Sequence, residues 1–191
     1  ESAEIQAAAT GLYLEPNLGQ AGDGPVAFLA RGGGLTAYFE ARGVTLQVSR
    51  VTSSVAGGAA AFGPGRREEA GPKVETARVG MRLQHANPAV VFEAEDKLPG
   101  VSAYFRGNDP ARWVASVPHY SKIRSRNVYD GIDAVYYANG AMLEYDFVVK
   151  PGANPDKIEL AFDGVRGTRL DGDGNLVLRT GVGELVQARP H

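Results

Sequence analysis

VPHYSKIRSRNVYDGIDAVYYANGAMLEYDFVVKPGANPDKIELAFDG, from Val117 to Gly164, is the stretch whose reading decides the fold. Within it, Leu143, Tyr145, Phe147 and Val149 fall on one side of an alternating run, and Glu144 and Asp146 on the other. Ile158-Glu159-Leu160-Ala161-Phe162 repeats the pattern after a connection rich in Pro, Gly and Asn. Successive side chains of a strand point to opposite faces, so strict period-two alternation marks half-buried strands. The apolar side then meets a core and the carboxylates meet water, as in a sheet solvated on one face. We expect Leu143, Tyr145, Phe147, Ile158, Leu160 and Phe162 to share one core.

Working outward, Val26 to Ala30, Leu35 to Phe39 and Val44 to Val48 read as three consecutive strands of a meander. The turns Arg31-Gly32-Gly33-Gly34 and Ala41-Arg42-Gly43 separate them. Val79 to Gln84, Val90 to Ala94 and Val101 to Phe105 continue the strand pattern, with turns expected at Asn87-Pro88 and Lys97-Leu98-Pro99-Gly100. Asp109 is placed to cap a single helical turn opened by Pro110. Trp113, the one tryptophan, is expected to anchor a core or plug a sheet end. Leu170 to Val186 reads as two short hairpins. The sum is an all-β fold, an antiparallel β-sandwich of about a dozen short strands. Residues 53–72, rich in Gly, Ala and Pro with Arg66-Arg67-Glu68-Glu69 inside, lack any apolar period and read as one long loop. The expected organisation is a flexible segment at 1–11 and one sandwich domain at 12–191. Two packed halves, 12–52 and 73–191, joined by loop 53–72, are the alternative division.

Twenty basic residues stand against 22 acidic ones, for a net charge of −2. A nucleic-acid binder would carry a basic footprint, so that class is disfavoured. The chain has no cysteine, which excludes disulfides, zinc–thiolate sites and cysteine nucleophiles. No apolar run approaches the ~20 residues of a spanning helix, so no membrane span is expected. The first residue is Glu1, as in a secreted chain after signal removal or in a trimmed one.

The candidate chemistry is sparse. Tyr129, Asp130, Asp133, Tyr136, Tyr137, Glu144 and Asp146 form the set of residues best suited to ligand or partner contact. Alternation places one of Tyr136 and Tyr137 in the core and the other outside. Glu144 and Asp146 share a strand face about 7 Å apart, between the retaining and inverting separations of glycosidases. Any two residues so spaced on a strand share that distance, so it does not define an acid–base pair. Asp130-Gly131 reads as a turn, and Asp133 as an acceptor of backbone N–H groups at a strand start. Asp171, Asp173 and Asn175 resemble the start of a calcium loop, but the twelfth position is Val182, so a hairpin turn is expected. His85, His119 and His191 are too scattered for a metal site, and no Gly-x-Ser-x-Gly elbow accompanies His119. No cofactor and no metal are expected.

Phe105-Arg106-Gly107-Asn108-Asp109-Pro110, Trp113, Val117-Pro118-His119-Tyr120, Val128-Tyr129-Asp130-Gly131-Ile132-Asp133 and Tyr136-Tyr137 form an ordered series. With Leu143 to Pro151, Ile158 to Gly164 and the early Glu15-Pro16-Asn17-Leu18-Gly19-Gln20, the series resembles the N-terminal region of bacterial cell-surface proteins bearing SBBP (β-propeller) repeats. In that opening motif a Tyr or Leu here replaces the usual Phe. The resemblance runs from Leu12 to Pro190. It implies a secreted module of unknown function, extracellular, cell-surface or periplasmic, that precedes repeat domains, and it brings no catalytic residues. The expected function is therefore a non-catalytic module that supports or docks downstream repeat domains of the same polypeptide or other surface proteins. The alternative is a carbohydrate-binding or carbohydrate-active domain working through the Tyr and carboxylate surface of residues 129–146, with glycans as partners.

Overall fold

The computed structural model describes residues 11–51 and 73–189. The expected loop 53–72 therefore falls outside the described residues apart from its flanks, and of the expected flexible segment only Gly11 is described.

Thirteen strands are found among the described residues. They are β1 (Tyr13–Pro16), β2 (Phe28–Gly32), β3 (Leu35–Glu40), β4 (Gly43–Val51), β5 (Val74–Leu83), β6 (Val91–Tyr104), β7 (Val114–Tyr129), β8 (Ile132–Asn139), β9 (Met142–Val149), β10 (Leu160–Asp163), β11 (Gly167–Leu170), β12 (Leu176–Arg179) and β13 (Glu184–Gln187). Among the described residues the only helical pieces are single 3-10 turns at Pro110–Arg112 and Pro155–Lys157. The fold is all-β and sandwich-like, and every strand pairing is antiparallel. The first ten strands make one sheet in the order β10-β5-β4-β3-β2-β1-β7-β8-β9, with β6 on β7, and β11-β12-β13 make a second. Tight turns set much of the register. Gly33-Gly34 joins β2 to β3 with both residues at positive φ, the conformation that matches the twist of a two-residue hairpin.

The large sheet is strongly curled, and its connectivity demands that. Its terminal strands, β9 and β10, are consecutive in the chain and separated only by the stretch between Val149 and Leu160. A flat sheet would hold them about eight interstrand spacings apart, near 38 Å. The connection spends its length in a turn at Lys150–Ala153 and the 3-10 turn at Pro155–Lys157, so it cannot span that distance. The sheet rolls until its ends are neighbours. Tyr129, at the end of β7, seals the meeting by donating to the carbonyl of Gln84 at 2.9 Å, next to Glu159.

Inside the roll, Leu14, Phe28, Ala30, Ala37, Phe39, Val44, Met81 and Leu83 of β1 to β5 face Ile123, Ile132, Ala134 and Tyr136 of β7 and β8. The Phe39 and Tyr136 rings meet edge to face at 5.0 Å, and Phe28 meets Phe92 at 6.0 Å. Leu143, Tyr145, Phe147, Ile158, Leu160 and Phe162 all pack against this one core, as their alternation predicts. Val149, read on the same face, lies at the strand end and is exposed.

Two details differ from the sequence reading, and a third is not addressed by it. Lys97-Leu98-Pro99-Gly100 is not a turn between strands but part of the single 14-residue strand β6, with a register shift between Lys97 and Val101. Proline is tolerated there because β6 pairs only with β7, leaving its other edge free of ladder bonds. Trp113 neither anchors the core nor plugs the sheet. It is 42% exposed, stacks edge to face on Phe105 at 5.4 Å, and donates Nε1 to the Gly107 carbonyl, closing the 105–113 loop on itself. Finally, residues 114–129 form one 16-residue strand whose bulge lies at Arg126 to Val128, with Asn127 at φ 50°.

Candidate functional site

Residues directly opposed in an antiparallel ladder face the same way, so the register lines reveal what the roll presents outward. One line runs Tyr13, Arg31, Thr36, Gln47, Arg78 across β1 to β5. Its neighbour runs Glu15, Leu29, Tyr38, Thr45, Gly80, Asp163. Two of these outward residues, Glu15 and Leu29, are nevertheless fully buried. What covers them is the turn after β1, the end of β6, and the loop that follows it.

The turn after β1 is built by its own side chains. Asn17 accepts from the N–H groups of Gly19 and Ala21 and donates to the carbonyls of Gly22 and Val26. Gln20 accepts from Leu18 N at 2.7 Å and donates to the Pro16 carbonyl at 2.7 Å. The Glu15-Pro16-Asn17-Leu18-Gly19-Gln20 segment is thus a self-bonded cover over Glu15.

Beneath it, Glu15 Oε1 accepts from Tyr104 at 2.6 Å, Arg31 Nε at 3.1 Å and Gln20 Nε2 at 3.4 Å. Its second oxygen, Oε2, is buried without a hydrogen-bond partner. A buried carboxylate is tolerable only when paired, and Arg31 is the pair. Arg31 and Arg106 both lie over the Tyr104 ring, 5.5 and 5.9 Å from its centroid. Burial and the Glu15 carboxylate push the Tyr104 phenol up to about 12.

Beside this cluster, His119 stacks on Tyr13 at 3.8 Å, and its Nε2 lies 2.7 Å from Ser102 Oγ. Burial pushes the imidazole down and Glu15 partly opposes it. A serine–histidine pair suggests a nucleophile and its base. However, no carboxylate hydrogen-bonds the imidazole's other nitrogen among the described residues, and stacking on Tyr13 orients the ring instead. The constellation of a working triad is incomplete.

The outward face opens into a groove of about 1110 Å³. Arg31, Arg78, Arg82, Arg106 and Arg112 line it, together with Thr36, Tyr38, Thr45, Gln47 and Glu40. On a chain of net charge −2, this is a local concentration of positive charge.

The residues singled out from the sequence are dispersed. Tyr129 and Tyr136 are buried in the core. Asp130 sits exposed in the β7–β8 turn and lines a small separate hollow with His85 and Glu159. Asp133 is buried, accepts the Asn127 N–H at 2.9 Å across the β7 bulge, and is ringed by Arg124, Arg126 and Lys150 at 3.5 to 3.8 Å. It stands in for the ladder acceptor that the bulge removes. Only Tyr137, Glu144 and Asp146 come together, on the outer face of β8 and β9, where Tyr137 is directly opposite Glu144. Burial and hydrogen bonds to the two carboxylates push the Tyr137 phenol up. Asp171 is occupied by its own turn, accepting from Asp173 N, Asn175 N and Asn175 Nδ2, which lowers its carboxyl. Among the described residues no cluster of three or more His, Cys, Asp or Glu is placed to hold a metal.

Sequence reasoning missed the Glu15, Arg31, Tyr104 and His119 cluster and the groove above it. The one available signal was a charged residue inside an otherwise extended opening segment, with Asn17 and Gln20 spaced to fold back on it.

These features define an antiparallel all-β module with a polar, arginine-lined outer face. Residues 14–191 match the family described as Domain of unknown function (DUF7948), and the chain belongs to that family. No curated protein and no solved structure matches it.

Proposed function

We propose that the chain is a non-catalytic contact module of a bacterial secreted or cell-surface polypeptide, docking surface partners and supporting neighbouring repeat domains. The similarity of Leu12 to Pro190 to the N-terminal region of SBBP-repeat proteins supports that setting. The observation that carries the docking reading is the open groove across β2 to β5, in which Arg31, Arg82 and Arg106 are held in place by bonds within the fold. Glu15 and Asp133, the two buried carboxylates among the described residues, are each bound to cations and to hydrogen-bond donors, as structural acids are. The test is retention on cell-envelope preparations. Wild type should be retained, an Arg78→Glu/Arg112→Glu variant released, and no polysaccharide or peptide turned over by either. Equal retention of both proteins overturns the docking reading, and turnover that disappears in Glu144→Gln/Asp146→Asn overturns the non-catalytic one.

A second reading, carbohydrate contact on the outer face of β8 and β9, is supported by Tyr137 lying against Glu144 and Asp146. A glycan array comparing wild type with Tyr137→Ala tests it, and identical array profiles count against it.

A further inference from the structure

We infer that the groove binds a linear acidic polysaccharide, a chain of carboxylate-bearing sugars. This rests on the docking reading and names what the groove takes.

The first support is unspent positive charge. Arg31 is neutralised by Glu15, and Arg82 by Glu40 and Asp163. Among the described residues, Arg78 hydrogen-bonds only to the neutral amide of Gln47, and Arg106 only to the Gln20 carbonyl. Arg112, at the end of its 3-10 turn, has no anionic partner among the described residues. Three guanidinium charges are left facing one groove, and the planar guanidinium fork matches a carboxylate in two parallel hydrogen bonds.

The second support is the remaining lining. Thr36, Tyr38, Thr45 and Gln47 offer hydroxyl and amide groups that both donate and accept. That suits the alternating donors and acceptors of a polyol. An extended peptide needs a free strand edge or side-chain pockets. The groove residues Arg31, Thr36, Tyr38, Thr45 and Gln47 of β2 to β4 have ladder partners on both sides, so the strands at its centre offer no backbone edge.

The third is shape. The lining residues cross the four strands β2 to β5, about three spacings or near 14 Å, so a short run of sugars rather than a single one fits their length. Phe105 and Trp113, exposed and packed on each other, adjoin the lining residues Arg106 and Arg112 in the chain. An exposed aromatic pair there provides an apolar platform for a sugar-ring face.

The test is titration of the full chain by calorimetry with polygalacturonate, neutral dextran and poly-glutamate. The expected result is binding of polygalacturonate that weakens as salt rises, no binding of dextran, and weaker binding of poly-glutamate. Arg78→Glu/Arg112→Glu should lower the polygalacturonate affinity about tenfold or more, near 1.4 kcal/mol, with unchanged thermal stability. Lys157→Glu, a single charge reversal outside the groove, should leave it unaltered. Failure of polygalacturonate to bind, equal binding by the groove variant, or poly-glutamate binding as tightly as polygalacturonate overturns the inference. If envelope retention still depends on Arg78 and Arg112 while polygalacturonate fails to bind, the acidic sugar falls and the docking reading stands.

Discussion

The Tyr104 hydroxyl lies 2.6 Å from Glu15 Oε1 and donates to it, joining two residues from opposite ends of a chain segment 89 residues long. The consequence is an alkaline liability. Tyr104 titrates near 12 in the fold against 10.0 for an ordinary tyrosine, because burial and the Glu15 charge disfavour the phenolate. A group whose folded pKa is raised stabilises the fold fully below its unfolded value and loses that contribution as pH climbs through the folded one. Stability should therefore decline between about pH 10 and 12. Tyr104→Phe should remove part of that slope while costing about 1.5–3 kcal/mol at neutral pH, the worth of a hydrogen bond to a charged group. Denaturant melts at pH 7, 10 and 11.5 check both, and an unchanged slope in the variant counts against the assignment.

His119 gives the opposite sign. Burial, only partly offset by Glu15, lowers its folded pKa below 6.5, so the unfolded chain binds the proton more readily. The stability it contributes is present above about pH 6.5 and is lost as pH falls through the lower folded value. An NMR titration should find the His119 ring less than half protonated at pH 6.5, and His119→Gln should flatten the acid limb of the stability profile.

Burial depth ranks the aromatic residues. Phe39 is fully buried against Tyr136, so Phe39→Ala should cost about 3–5 kcal/mol. Phe147 packs on the same core from the half-exposed strand β9, and Phe147→Ala should cost less, about 2 kcal/mol. Equal losses in urea melts would mean that β9 is as deeply packed as β3.

Two glycines separate backbone conformation from space. Gly152 has φ 85° with nothing near its absent side chain, so Gly152→Ala should cost only the left-handed penalty, about 1–2 kcal/mol. Gly164 has φ 74°, and an added Cβ there would collide with the Arg78 carbonyl. Gly164→Ala should be the more damaging of the two, and its damage should extend to the pairing of β10 with β5.

What was legible in the sequence was whatever alternation alone determines. The meander of β2 to β4, the faces of β9 and β10, and the Asp109 cap, which accepts from Ala111 N at 3.0 Å, follow from neighbours close in sequence. The long strands β6 and β7 were not legible as such. Lys97-Leu98-Pro99-Gly100 reads as a turn, yet a free edge and a register shift absorb Pro99 within β6. The candidate site was least legible. Glu15 follows Leu14 in a short strand, and local pattern assigns it to water. Its cover of Tyr104 and Arg106 arrives some 90 residues later, a distance over which periodicity carries no information. Asp133 was recognised as a backbone acceptor, but its burial was not, because the cations that make burial tolerable come from β7 and from beyond β9.

The short connection that forces the large sheet to roll also has a mechanical meaning. Because β9 and β10 are the two margins of the sheet and lie next to each other along the chain, the roll is fastened like a strap through its own buckle. Tension that pries the margins apart is borne first by the Tyr129 seam and, once the turns of the connection from Lys150 to Glu159 are drawn out, by the covalent backbone and the ladder of β10 on β5. The Tyr129 seam can open and the margins separate by the slack of that segment, but the sheet cannot lie flat until β10 is stripped from β5. Under such tension, yielding would come in two stages, a small reversible give followed by loss of the β5–β10 ladder.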